Sequence, residues 1–154
     1  MKLYNAASPN GARIAIFLAE KGIEIPTQQI NLMAGEAATE EFRKINSLGQ
    51  VPVLELDDGR FLTESIAICR YLEHRHPDPA LFGKTPVDQA FVEMWSRRME
   101  LGLFNVMGDI GLHEFEFFKD RVEQNAAYAA SRRRDFSARL RWLDTELLDE
   151  RPFL

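Results

Sequence analysis

From Lys2 to His76 short extended runs alternate with helical stretches, and a chain of that pattern buries its apolar side chains by layering helices on a sheet. Lys2 to Asn5 reads as a first strand. Ser8 supplies an N-cap and Pro9 a first-turn proline for a helix whose apolar stripe, Ile14, Phe17 and Leu18, ends at Gly22. Thr27 to Asn31 can form a second strand. A short helix from about Glu36 to Asn46 buries Phe42 and Ile45 and carries Arg43 and Lys44 in its last turn. Val53 to Leu56 and Arg60 to Thr63 flank Asp57-Asp58-Gly59, a turn signal that makes them an antiparallel hairpin and the sheet mixed. A third helix, Ser65 to about His76, repeats Ile68, Tyr71 and Leu72 at helical spacing and stops at Pro77. The order β-α-β-α-β-β-α is complete there.

The next segment, PDPALFGKTP from Pro77 to Pro86, holds three prolines and a glycine, the composition of a boundary between packed units. We therefore expect an α/β domain over residues 1–77, a linker over 78–86 and an all-helical domain over 87–154. Phe91, Met94, Trp95 and Met99 mark one long helix, and Phe136, Leu140, Leu143 and Leu147 another. Gly108 and Gly111 are expected to weaken or end the first of these. Arg132 to Arg134 read as a solvated face of the second.

With 154 residues, of which 45% are hydrophobic, the chain can bury one good core or one compact domain and part of a second. A formal charge of -5 provides no global positive field for a phosphate backbone, so nucleic acid is not expected as the partner. The one cysteine, Cys69, can form neither an internal disulfide nor a CxxC redox pair nor a zinc cluster, which fits a reducing cytosol. Met1 leads straight into Lys2, Leu3 and Tyr4 without a long apolar stretch, so the expectation is a soluble, cytoplasmic protein with no membrane partner.

Three places in the first unit could carry chemistry, and each has a structural reading beside the functional one. Ser8-Pro9-Asn10 caps a helix, or points a hydroxyl or a backbone N–H at a ligand thiol beside the positive end of the helix dipole. In Gly49-Gln50-Val51-Pro52-Val53 a proline opens a strand. It is an ordinary strand start, or, with a cis Val51-Pro52 bond, a turn whose Val51 backbone pairs with an extended peptide. Thr63-Glu64-Ser65 caps the third helix, or offers first-turn N–H groups and the Ser65 hydroxyl to a carboxylate while Glu64 holds an ammonium group. The last arrangement suits an amino-acid zwitterion.

The motifs LAEKGI, LMAGE, GQVPVLELDDG, ESIAICRYL and LFGKTP, in that order, resemble the N-terminal domain and hinge of the cytosolic glutathione S-transferase family. Details of the pattern resemble its bacterial and fungal, theta-like branch. WSRRMELGL and RWLDTELLDERPFL are similar to the family's helical domain. The resemblance implies a thioredoxin-like N-terminal fold and a glutathione transferase with glutathione as co-substrate and no metal or redox cofactor. It further implies that Val51 pairs with the cysteinyl backbone of glutathione before a cis Pro52, that Glu64 and Ser65 receive the γ-glutamyl end with Gln50 assisting, and that Ser8 activates the thiol. Asn10 could add a donor, and His113 could act directly or through water. A small electrophilic substrate and a two-fold homodimer through helices three and four are implied as partners.

Family members continue past a segment like RPFL into further helices, so an incomplete second domain is expected. The rival reading is a non-catalytic module that keeps the transferase fold for binding glutathione or protein partners. A disulfide oxidoreductase of the same fold would need a cysteine near Ser8, and none stands there.

Overall fold

The structure is a computed structural model that describes residues 1–148. It divides into two compact units, Met1–Phe82 and Gly83 onward, and the division falls inside the proline-rich segment.

The first unit has the thioredoxin-like order expected from the sequence. Strands β1 (Lys2–Asn5), β2 (Thr27–Gln29), β3 (Val53–Glu55) and β4 (Phe61–Leu62) form one sheet in the order β2-β1-β3-β4. β1 runs parallel to β2 and antiparallel to β3, and β3 antiparallel to β4, so the sheet is mixed. Register distributes the side chains by the period of two. Leu3 pairs with Leu54, and both enter one core with Ile14 and Phe17 of helix α1 (Pro9–Lys21) and Ile68, Cys69 and Leu72 of helix α3 (Ser65–Arg75). Tyr4 pairs with Val53, and both enter a second core with Ile30, Ala37 and Phe42, the last on helix α2 (Glu40–Ile45).

The helix ends follow from their caps. Ser8 Oγ accepts the Gly11 N–H at 3.0 Å and Pro9 occupies the first turn of α1. Gly22, at φ +62°, closes the helix as its N–H reaches Ala19 O and the Ile23 N–H reaches Leu18 O. Three elements are shorter or more divided than expected. β2 stops at Gln29 because Asn31 turns the chain: its N–H is taken by Glu36 Oε2 at 2.7 Å and its Oδ1 accepts from Ala34 N–H. The helix expected from Glu36 to Asn46 is a 3₁₀ turn, Glu36–Ala38, followed by α2, because Thr39 is extended and caps α2 through Phe42 N–H. The hairpin strands lose their outer residues to the turn, where Gly59 sits at φ +81° and Asp58 Oδ1 takes the Arg60 N–H.

The second unit is helical throughout its described residues: α4 (Pro86–Met99), a π-helical segment (Glu100–Phe104), α5 (Asn105–Glu114), a 3₁₀ turn (Glu116–Phe118) and α6 (Ala126–Glu146). Thr85 and Asp88 form a reciprocal capping box on α4. The expectation that Gly108 and Gly111 interrupt the long helix is corrected, since both lie inside α5 and the irregularity falls at the π segment around Gly102. Gly111 leaves room for the Phe115 ring, whose nearest atom would stand 3.2 Å from an added Cβ. The arginine run is also more than a solvated face. Arg132 Nε reaches Asp109 Oδ2 at 2.9 Å, and Arg133 Nε reaches Glu114 Oε1 at 2.8 Å, so two of the three arginines tie α6 to α5. Trp95 stacks on Trp142 at 6.0 Å, with the Arg98 guanidinium 4.8 Å from the Trp95 ring. The RPFL segment, residues 151–154, lies outside the described residues.

Candidate functional site

The start of α1 and the start of α3 meet in the first unit. Arg13 Nη1 donates to Ser65 Oγ at 2.6 Å and to Asn10 Oδ1 at 2.8 Å, and Ser65 Oγ lies 3.4 Å from Asn10 Oδ1. Asn10 and Ser65 were legible as candidates from their place at helix starts. Arg13 was not, because one arginine on an amphipathic helix carries no motif, and only the crossing of the two helices shows what it touches. The group combines a guanidinium, a buried hydroxyl and the free N–H groups of the first turn of α3, all of which favour an anion.

Glu64 precedes this turn at φ +64°, ψ +113°, the one non-glycine residue at positive φ among those described. Such a conformation costs on the order of 1–3 kcal/mol in a non-glycine residue and persists where the surroundings impose it, typically at ligand sites. The Glu64 side chain is exposed and makes no capping bond, while Ser65 beside it is buried.

Gln50 and Val51 stand on a separate loop ahead of β3. Asn46, 7% exposed, holds that loop: its Nδ2 donates to Gln50 O at 2.8 Å and its Oδ1 accepts the Leu48 N–H at 3.1 Å. By its sequence context Asn46 marks only a helix end, and its side-chain role has no local sequence signal. The Val51-Pro52 bond is cis. Gln50 is exposed, and Val51 is half-buried against the core of Tyr4, Phe42 and Val53.

Ser8 is engaged by its own helix through Gly11 N–H, which leaves its hydroxyl proton to give. Gly11 is obligatory there, because an added Cβ would stand 2.1 Å from Ala6 O. Tyr4 offers no second hydroxyl for thiol chemistry: burial, and then its bond to Glu55 Oε2 at 2.8 Å, push the phenol above its ordinary range. His113 lies in the second unit, where Nδ1 accepts the Asn125 N–H at 3.1 Å and the ring stands edge-on to Tyr128. Among the described residues no cluster of His, Cys, Asp and Glu could hold a metal ion, and no helix is long and apolar enough to cross a membrane.

Residues 7–75 match the sequence model of the family described as the glutathione S-transferase N-terminal domain. A crystal structure of a glutathione S-transferase domain-containing protein from Marinobacter aquaeolei VT8 superposes with a TM-score of 0.91 at 33% identity, covering 100% of this chain and 77% of that one. The chain belongs to the glutathione S-transferase family. Glutathione S-transferase 2 of Saccharomyces cerevisiae is 36% identical over 152 residues, covering 96% of this chain and 65% of the yeast protein. Maleylacetoacetate isomerase of Pseudomonas aeruginosa is 39% identical over 93 residues, covering 58% of this chain and 44% of the isomerase. The chain thus spans less than two thirds of these curated relatives. As a glutathione S-transferase family member it carries Ser8, Asn10, Gln50, Val51, Glu64 and Ser65 within the matched N-terminal region.

Proposed function

We propose that this chain binds reduced glutathione on its first unit, ionises the thiol and delivers it to a small electrophilic, hydrophobic substrate. The observation that carries the reading is the Asn10–Arg13–Ser65 group at the start of α3, where the γ-glutamyl carboxylate would find a guanidinium, a hydroxyl and first-turn N–H groups. Glu64 would take the ammonium group of the same zwitterion. The Val51 backbone, before a cis proline, would pair with the cysteinyl unit, assisted by Gln50. Similarity to the yeast transferase over 96% of the chain, against 58% for the isomerase, favours transfer over isomerisation.

Ser8 is the proposed activator of the thiol. Lowering a thiol pKa from about 8.5 to about 6.5 takes about 2.7 kcal/mol of preferential thiolate stabilisation. A hydroxyl contributes about 1 kcal/mol and a helix N-terminus up to about 2 kcal/mol, so Ser8 and the start of α1 together are of the right size. The thiol proton leaves to solvent, a sulfur lone pair forms the C–S bond, and the leaving group departs with its bonding electrons.

The same reading includes a cytoplasmic homodimer acting in detoxification. Val87 and Phe91 of α4 are exposed apolar side chains of the kind a two-fold interface covers. Titration calorimetry with reduced glutathione and a chlorodinitrobenzene assay test the reading together. Saturable heat with conjugation supports it, and binding without conjugation supports the non-catalytic module instead. No saturation at millimolar glutathione on folded protein removes the transferase reading and leaves only a module that binds protein partners.

A further inference from the structure

Asn46 follows α2 as a buried polar residue, and each of its polar atoms is engaged by the chain around it. Its N–H donates to Phe42 O at 2.9 Å and its C=O accepts the Gly49 N–H at 2.8 Å. In the side chain, Oδ1 accepts the Leu48 N–H at 3.1 Å while Nδ2 donates to Gln50 O at 2.8 Å. The two side-chain bonds fix each other's sense, since an amide turned over would set donor on donor and acceptor on acceptor. Across a trans peptide the C=O and the following N–H point in opposite directions, and the Gln50–Val51 bond is trans. By holding Gln50 O toward itself, Asn46 therefore turns the Val51 N–H away, and among the described residues no backbone carbonyl takes that N–H. The loop has little room to rearrange, because Gly49 sits at φ +62° and a Cβ on it would stand 2.7 Å from Ala37 O.

We infer that Asn46 is a positioning residue for glutathione, whose side-chain amide holds the Gln50–Val51 peptide in the orientation that presents the Val51 N–H to the cysteinyl carbonyl. This rests on the reading that glutathione pairs with the Val51 backbone. Asn46 acts through that peptide and not on the ligand. It keeps the peptide plane from rotating, so the N–H is aimed before the tripeptide arrives and binding does not have to order the loop. The corner formed by Asn10, Arg13 and Ser65 is held by its own hydrogen bonds on α1 and α3 and does not depend on Asn46.

The test is Asn46→Asp in the full chain, followed by titration calorimetry with reduced glutathione and by amide hydrogen exchange with and without saturating ligand. Aspartate keeps an acceptor for the Leu48 N–H but sets an oxygen against Gln50 O, so the peptide plane is expected to turn and the Val51 N–H to leave the ligand. Glutathione affinity should fall about 10-fold, the size of one lost hydrogen bond. Saturating glutathione should protect the Val51 and Ser65 amides in the unmodified protein and only the Ser65 amide in the variant, a split that general loosening of the fold would not produce. Where Asn46→Asp fails to fold, as judged by circular dichroism, Asn46→Ser carries the same expectation, since its shorter side chain can take the Leu48 N–H while releasing Gln50 O. Unchanged affinity, a Val51 amide that glutathione protects in both proteins or in neither, or loss of protection at both amides in the variant overturns the inference while leaving the glutathione reading intact. Absence of saturable glutathione binding by the unmodified protein overturns both.

Discussion

Arg13 Nη1 stands 2.6 Å from Ser65 Oγ, so the first turns of α1 meet the N-terminus of α3 through a charge-assisted hydrogen bond between residues 52 positions apart. The same nitrogen holds Asn10 Oδ1. That contact turns two helix starts, each ordinary alone, into one anion-binding corner.

Arg13→Leu is expected to weaken glutathione binding about 10- to 100-fold, the range of a lost hydrogen bond to a charged group. Ser65→Ala should act in the same direction and the double variant should lose less than the two effects combined. Calorimetry checks this, and independent, fully additive losses would show that the two residues do not form one subsite.

Ser8 serves the helix and, as proposed, the thiol, and two substitutions separate the roles. Ser8→Ala should destabilise the fold by about 1 kcal/mol, whereas Ser8→Gly should cost only a few tenths, because glycine caps nearly as well. Both remove the hydroxyl, so both should raise the pKa of bound glutathione by about one unit and lower its thiolate fraction at neutral pH. Denaturant unfolding and thiolate absorbance give the two readouts. An unshifted thiol in either variant would remove Ser8 from the chemistry.

Lys21 is buried to 0% exposure in α1 and its ammonium lies 2.5 Å from Glu73 Oε2 of α3, while donating also to His76 O and Pro79 O. Glu73 Oε1 in turn accepts the N–H groups of Leu81 and Phe82. The pair thus clasps the segment that follows α3. Removing one buried partner strands the other, so Lys21→Met should cost about 3–5 kcal/mol. Lys21→Met with Glu73→Gln should be less destabilised than Lys21→Met alone. Urea unfolding followed by far-ultraviolet circular dichroism measures this, and a loss below 1 kcal/mol would contradict it.

Cys69 lies 2% exposed in the core, and burial pushes its thiol up to about 11. The unfolded chain ionises this thiol near its ordinary value of about 8.5 while the folded chain keeps its proton. Protons are then bound more tightly by the native state, so this contribution is complete below about pH 8.5 and is lost as pH rises toward 11. Cys69→Val should flatten the alkaline fall in stability over that window, and the native thiol should resist alkylation until denaturant is added. Rapid modification of native protein at neutral pH would refute the assignment.

Local chemistry made most of the first unit legible. Ser8 with Pro9, Gly22, Asp57-Asp58-Gly59 and Pro77 act on their immediate backbone, so the elements they bound are readable without knowing what packs on them. Errors fell where a distant or competing partner decided. Asn31 and Thr39 used their side chains to break a strand and a helix that apolar spacing alone would have continued. Gly108 and Gly111 stayed inside α5, where Gly111 makes room for the Phe115 ring.

The amino-acid sequence by itself determined the order of elements, the two faces of the sheet and the helix starts at which Ser8, Asn10, Glu64 and Ser65 stand. Those features arise from backbone sterics, caps and the periods of 2 and 3.6, which act over a few residues. Only the tertiary structure decided that Arg13 reaches Ser65, that Asn46 holds the Gln50 loop, and that Asn5 Nδ2 reaches Gly11 O. Each of those depends on how packed elements cross or turn back, and hydrogen-bond geometry at 3 Å is set by that packing and not by spacing along the chain.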